Sequence, residues 1–80
     1  GIHPLDLVSE LSLTAREFNL KYKTSPVLRT RRGGYLRNVS VVLGNQKDPA
    51  SITALELASR DEDARIMVHA RWALDQILRQ

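Results

Sequence analysis

Three observations predict an all-α fold of about five helices for this 80-residue chain. Apolar residues recur at the helical period, most plainly in Tyr35–Leu43 and Ile66–Leu78. Helix-start signals precede the apolar stripes, at Thr14, Asp48 and Asp61. The chain also repeats itself: shifting Leu36–Leu43 by 31 residues lays it on Met67–Leu74.

Pro4–Leu11 reads as a short helix with Pro near its first position and Leu7, Val8 and Leu11 on one side. Thr14 then stands as N-cap with Glu17 three residues on, a capping box flanked by Leu13 and Phe18 at hydrophobic-staple spacing. This second helix runs to about Tyr22, which shares a face with Phe18. Ser25-Pro26 favours extended backbone, so a loop is expected from about Lys23 to Gly33. From Gly34 a helix buries Tyr35, Leu36, Val39, Val42 and Leu43, and Gly44-Asn45 supplies a left-handed cap. Asp48-Pro49 opens the fourth helix, with Ile52, Leu55 and Ala58 inward. Asp61, Glu62 and Asp63 provide the start of the fifth, whose inner stripe is Ile66, Met67, Ala70, Ala73, Leu74, Ile77 and Leu78.

The repeat pairs Leu36 with Met67, Val39 with Ala70, Val41 with Trp72, Val42 with Ala73 and Leu43 with Leu74. A helical period near thirty residues points to a right-handed α-solenoid of HEAT or armadillo type. One domain is expected over 1–80, with 1–32 as capping helices and basic loop and 33–80 as repeat helices. Two units are fewer than such stacks need, so the chain is expected to be part of a larger protein.

Composition excludes several classes. At 42% hydrophobic and 26% charged the chain is globular rather than disordered. With no Cys it holds no disulfide, thiolate metal site or iron–sulfur ligand. Its apolar runs fall short of a membrane span and no leader is visible, so a cytoplasmic protein without a membrane partner is expected.

Net charge is +3, yet residues 16–37 alone sum to +6, against −2 before and −1 after. The concentration favours a polyanion partner. Arg29, Arg31, Arg32 and Arg37, with Lys21 and Lys23, are the candidate contacts to RNA phosphates. Arg37 in the first turn of a helix opposes the macrodipole, a conflict that a bound anion would resolve. Tyr22 and Tyr35 are the only aromatics nearby, so backbone recognition of a stem is expected rather than base stacking. Asn38, mid-helix, is expected to hydrogen-bond to the preceding loop or the adjacent helix. His69 and Trp72 flank the last apolar stripe; further ligands at metal-binding spacing are lacking. No nucleophile–base pair, paired carboxylates or phosphate-cradling loop can be argued, so catalysis by this chain alone is not expected.

Phe18…Tyr22, Thr24-Ser25-Pro26…Arg29…Arg32-Gly33-Gly34…Leu36-Arg37-Asn38-Val39…Leu43-Gly44-Asn45 and His69-Ala70-Arg71-Trp72-Ala73-Leu74 together resemble the C-terminal part of bacterial epoxyqueuosine reductase. The resemblance covers about residues 13–78. Val42, Asp75 and Tyr22 depart from the residues usual in that family. It implies a terminal HEAT-like domain that helps hold tRNA for reduction of epoxyqueuosine to queuosine. The catalytic domains, with a cobalamin and two 4Fe–4S clusters, would lie N-terminal to it. The competing reading is a HEAT-like module for protein–protein or interdomain contact through its solenoid groove or the apolar Trp72 edge, with an exposed apolar patch away from the basic loop and the Arg loop internally paired.

Overall fold

Five α-helices form within residues 4–79, the part of the chain that the computed structural model describes: α1 (Pro4–Leu11), α2 (Ala15–Lys21), α3 (Arg31–Gln46), α4 (Ile52–Ala58) and α5 (Ala64–Leu78). Two 3-10 turns, Pro26–Thr30 and Pro49–Ser51, lead into α3 and α4. The chain is all-α, as its periodicity predicts.

Local chemistry accounts for the starts. At α2 the capping box is complete: Thr14 Oγ1 accepts from the Glu17 amide at 3.1 Å, and Glu17 Oε1 accepts from the Thr14 amide at 2.9 Å. Ser25, in extended backbone, caps the first 3-10 turn through Oγ, and Asp48 caps the second through Oδ1. Asp63 rather than Asp61 is the N-cap of α5, accepting from the Arg65 amide at 2.9 Å. Asp61 is used elsewhere.

The segment expected as a loop over 23–33 is more ordered than that. Pro26 sets a helical φ and Ser25 closes the turn, so residues 26–30 coil as 3-10 backbone and α3 begins at Arg31. Residue 32 therefore lies inside α3, and the 32/33 division of the chain does not coincide with an element boundary.

α3 also ends differently. It runs past Gly44-Asn45 to Gln46, and Lys47 takes the left-handed cap at φ 53°, ψ 35°. Gly44 serves packing instead. A Cβ there would stand 2.7 Å from Trp72 Cζ3 and 2.9 Å from Ala73 Cα, so only glycine lets α3 and α5 approach this closely.

α3 and α5 form the central pair, and they run parallel. Gly33 lies under Asp63 and Arg65, Arg37 reaches His69, and Gly44 sits against Trp72 and Ala73. α1 packs on α3 and α4, and α4 on α5. The result is a slab 39 × 28 × 16 Å in extent, about two helices thick. Its core comprises Leu7, Leu11, Leu36, Val39, Leu43, Leu55, Ala58, Ile66, Ala70, Ala73 and Ile77.

Two apolar residues expected inside are outside: Val42 is 42% and Leu78 66% exposed. The inner face of α3 is centred on Gly33, Leu36, Ser40 and Leu43, which turns Val42 away. Ser40 is fully buried because its Oγ donates to Leu36 O at 2.9 Å. Ile52, Met67, Leu74 and Tyr35 are half-buried at the core margin.

Candidate nucleic-acid interface

Fold and charge together divide the six candidate cations into separate groups. Lys23, Arg29 and Arg31 line one open cleft of about 820 Å³, with Asn19, Thr24 and Ser25 among its other walls. All three cations are exposed, and among the described residues none has an acidic partner. No carboxylate lines the cleft. The Ser25-capped 3-10 turn positions the group, carrying Arg29 in its last turn and delivering Arg31 to the start of α3.

Arg31 holds an uncommon backbone, φ 60° and ψ 164°, a region populated essentially by glycine. For a side chain with a Cβ this conformation costs on the order of 1–3 kcal/mol. Arg31 and Arg32, not Arg37, occupy the first turn of α3.

Arg32 faces elsewhere. Its Nε donates to Leu13 O at 2.7 Å, Nη1 donates to Asp61 Oδ1 at 3.2 Å, and Nη2 donates to Asp61 Oδ2. The guanidinium so joins the α1–α2 connection to the α4–α5 connection. It holds the Asp61 carboxyl below the usual carboxylate range, outweighing burial. With both side chains mostly shielded, this pair is a structural clasp.

Lys21 is held as well. Its Nζ lies 3.0 Å from Oε2 of Glu10, a carboxylate only 7% exposed. Tyr22 OH and Tyr35 OH both donate to Glu10 Oε1, the second at 3.1 Å, and the two hydroxyls stand 3.3 Å apart. Phe18 closes the group, with ring centroids 5.0 Å from Tyr22 and 5.6 Å from Tyr35. Burial pushes the Glu10 carboxyl up, but bonds from Tyr22, Lys21 and Tyr35 outweigh it and leave the group below its ordinary value. Burial first, then Glu10, raises Tyr22; burial, Tyr22 and Glu10 raise Tyr35. α2 is thus anchored on Glu10.

Arg37 is two turns into α3. Its Nε donates to His69 Nε2 at 3.2 Å and its Nη1 to Asn38 Oδ1 at 3.0 Å. Asn38 therefore bonds its own neighbour, not the preceding loop or the adjacent helix, because its exposed position leaves the Arg37 guanidinium as the nearest donor. Asn45 is exposed and interior to α3, one residue from its end.

Two participants lay beyond sequence reading. Asp61 passes for a helix-start acid, and Glu10 stands in no local motif. Each acts through partners 11 to 29 residues away, for which no local spacing is a signal. Among the described residues no group of three or more His, Asp or Glu could hold a metal ion, and no helix is long and apolar enough to cross a membrane. Comparison with family models, with curated proteins and with solved structures returns no match.

Proposed function

We propose that this domain binds RNA through its phosphates, as the HEAT-like C-terminal domain of an epoxyqueuosine reductase-like protein that helps hold the tRNA anticodon stem–loop. The observation that carries the reading is the cleft of Lys23, Arg29 and Arg31, three unpaired cations with no carboxylate among its walls. Guanidinium groups free of internal partners release counterions when phosphates replace solvent. The parallel α3–α5 pair, in which neighbours are about one sequence repeat apart, supports stacking of right-handed solenoid units.

Reduction of epoxyqueuosine to queuosine belongs, on this reading, to domains preceding this one in a cytoplasmic parent. Those domains would bind cobalamin and the two 4Fe–4S clusters, whose thiolates this Cys-free chain cannot supply. This chain contributes positioning, not a reacting group. A pure protein-contact module expects both exposed apolar side chains and an internally paired Arg loop; Val42, Val68 and Trp72 are exposed, but the pairing is met at one Arg only. Of Arg29, Arg31, Arg32 and Arg37, Arg32 alone has an acidic partner among the described residues.

The test is binding of a labelled anticodon stem–loop to the wild type and to Arg29→Glu/Arg31→Glu. Helicity by circular dichroism serves as the folding control. Loss of binding at unchanged helicity is expected. Equal affinity of the folded double variant contradicts the proposal.

A further inference from the structure

Trp72 is the only tryptophan in the chain and is 39% exposed, although its Cζ3 edge lies against the bare Cα of Gly44. The indole is therefore seated on α3 while part of its surface meets solvent. One turn back on α5 stands His69, whose Nε2 accepts from Arg37. With Nε2 acting as acceptor, Nδ1 carries the proton and donates to Arg65 O at 2.7 Å. Arg37 is held by two neutral acceptors, His69 and Asn38, so its charge is oriented but not offset. Asp75, one turn beyond Trp72, is paired with Arg79 at 2.8 Å. The seam thus presents an anchored aromatic surface and, at the level of His69 one turn back, a positive charge without an acidic partner among the described residues.

We propose that the α3–α5 seam takes an unpaired nucleotide of RNA, its base on the indole of Trp72 and the adjoining phosphate on Arg37. This rests on the RNA-binding reading and adds a base contact, which the Lys23–Arg29–Arg31 cleft lacks aromatics to make. Charge complementarity selects the occupant. A base stacks on the apolar ring while its phosphodiester meets the guanidinium; an apolar peptide would leave Arg37 unmatched. Arg31 and Gly44 lie thirteen residues apart on α3, roughly 20 Å at the helical rise, so the seam is a contact separate from the cleft.

Because Trp72 is the sole indole, its emission reports the seam directly. The whole chain is titrated with a short oligouridylate and with an abasic oligomer of equal length and charge. Trp72 emission and the anisotropy of labelled oligomers are followed together. Oligouridylate is expected to quench the emission and to bind at least about five-fold more tightly than the abasic strand, the low end for one stacked base. Trp72→Ala should bring the two affinities together, and Trp72→Phe should restore part of the difference. Equal wild-type affinity for the two strands, or binding with unchanged emission, overturns the seam and leaves the phosphate cleft standing. Quenching by a blunt RNA duplex as strong as by the single strand also overturns it. No binding of any RNA overturns both the seam and the RNA reading.

Discussion

Arg32 in the first turn of α3 grips Asp61 with both Nη groups while its Nε donates to the carbonyl of Leu13 at 2.7 Å. One guanidinium so ties the start of α3 to the α1–α2 and α4–α5 connections, and its charge is consumed within the fold. Asp61→Asn should cost about 1.5–3 kcal/mol in urea unfolding, the range for a hydrogen bond to a charged group. RNA affinity should not fall, because the substitution removes an acid and touches no cleft cation. A loss of stability below about 0.5 kcal/mol, the level of an ordinary surface change, would contradict the clasp.

Glycines 34 and 44 should respond to alanine with opposite signs. At Gly44 a Cβ meets backbone, Ala73 Cα at 2.9 Å, so the helices must separate. Gly44→Ala should destabilise by about 1–3 kcal/mol despite its gain in helix propensity. At Gly34 the nearest atoms would be 3.8 and 4.0 Å away, ordinary contacts. Gly34→Ala should therefore stabilise by up to about 1 kcal/mol. Thermal unfolding of the two variants reads both signs.

Stability should fall on the acid side through Glu10 and Asp61. Both carboxyls are lowered in the folded chain, so their contribution is full above the unfolded carboxylate range and is lost as pH drops through the folded values. Tyr22 and Tyr35 are raised, so their contribution is full below the unfolded phenol range and is lost as pH rises above about 10. A plateau between about pH 5 and 9 is expected. Glu10→Gln should lower that plateau and flatten the acid limb. An unchanged acid limb in this variant would remove Glu10 from the account.

Arg31 places strain and proposed function at one residue. Its φ of 60° with ψ of 164° suits glycine, so Arg31→Gly should raise stability by about 1 kcal/mol once the looser unfolded chain is allowed for. The same change should weaken RNA binding. A variant that is both less stable and equally tight in binding would refute this pairing.

Much of the architecture is legible in the residues. The capping box at Thr14, the Asp48 cap and the α5 stripe are local patterns whose chemistry acts within one or two turns. The Arg-rich segment was readable as a charge concentration, but its division was not. Arg31 and Arg32 are adjacent in sequence, yet one faces the open cleft and the other the carboxylate of Asp61. That split follows from the non-helical backbone of Arg31, which no local period encodes. Gly44 similarly reads as a cap, because the indole that requires its bare Cα comes from another helix. Glu10 offers no sign of burial until α2 and α3 bring Lys21, Tyr22 and Tyr35 to it.

The most direct test of the central claim is the salt dependence of anticodon stem–loop binding. Each phosphate neutralised contributes about 0.7–0.9 to the slope of log K against log salt. Arg29→Gln/Arg31→Gln should therefore flatten the wild-type slope by about 1.4–1.8 and weaken binding at every salt concentration, while helicity stays unchanged. A slope identical to that of the wild type would show that these two guanidinium groups meet no phosphate, and would contradict the account.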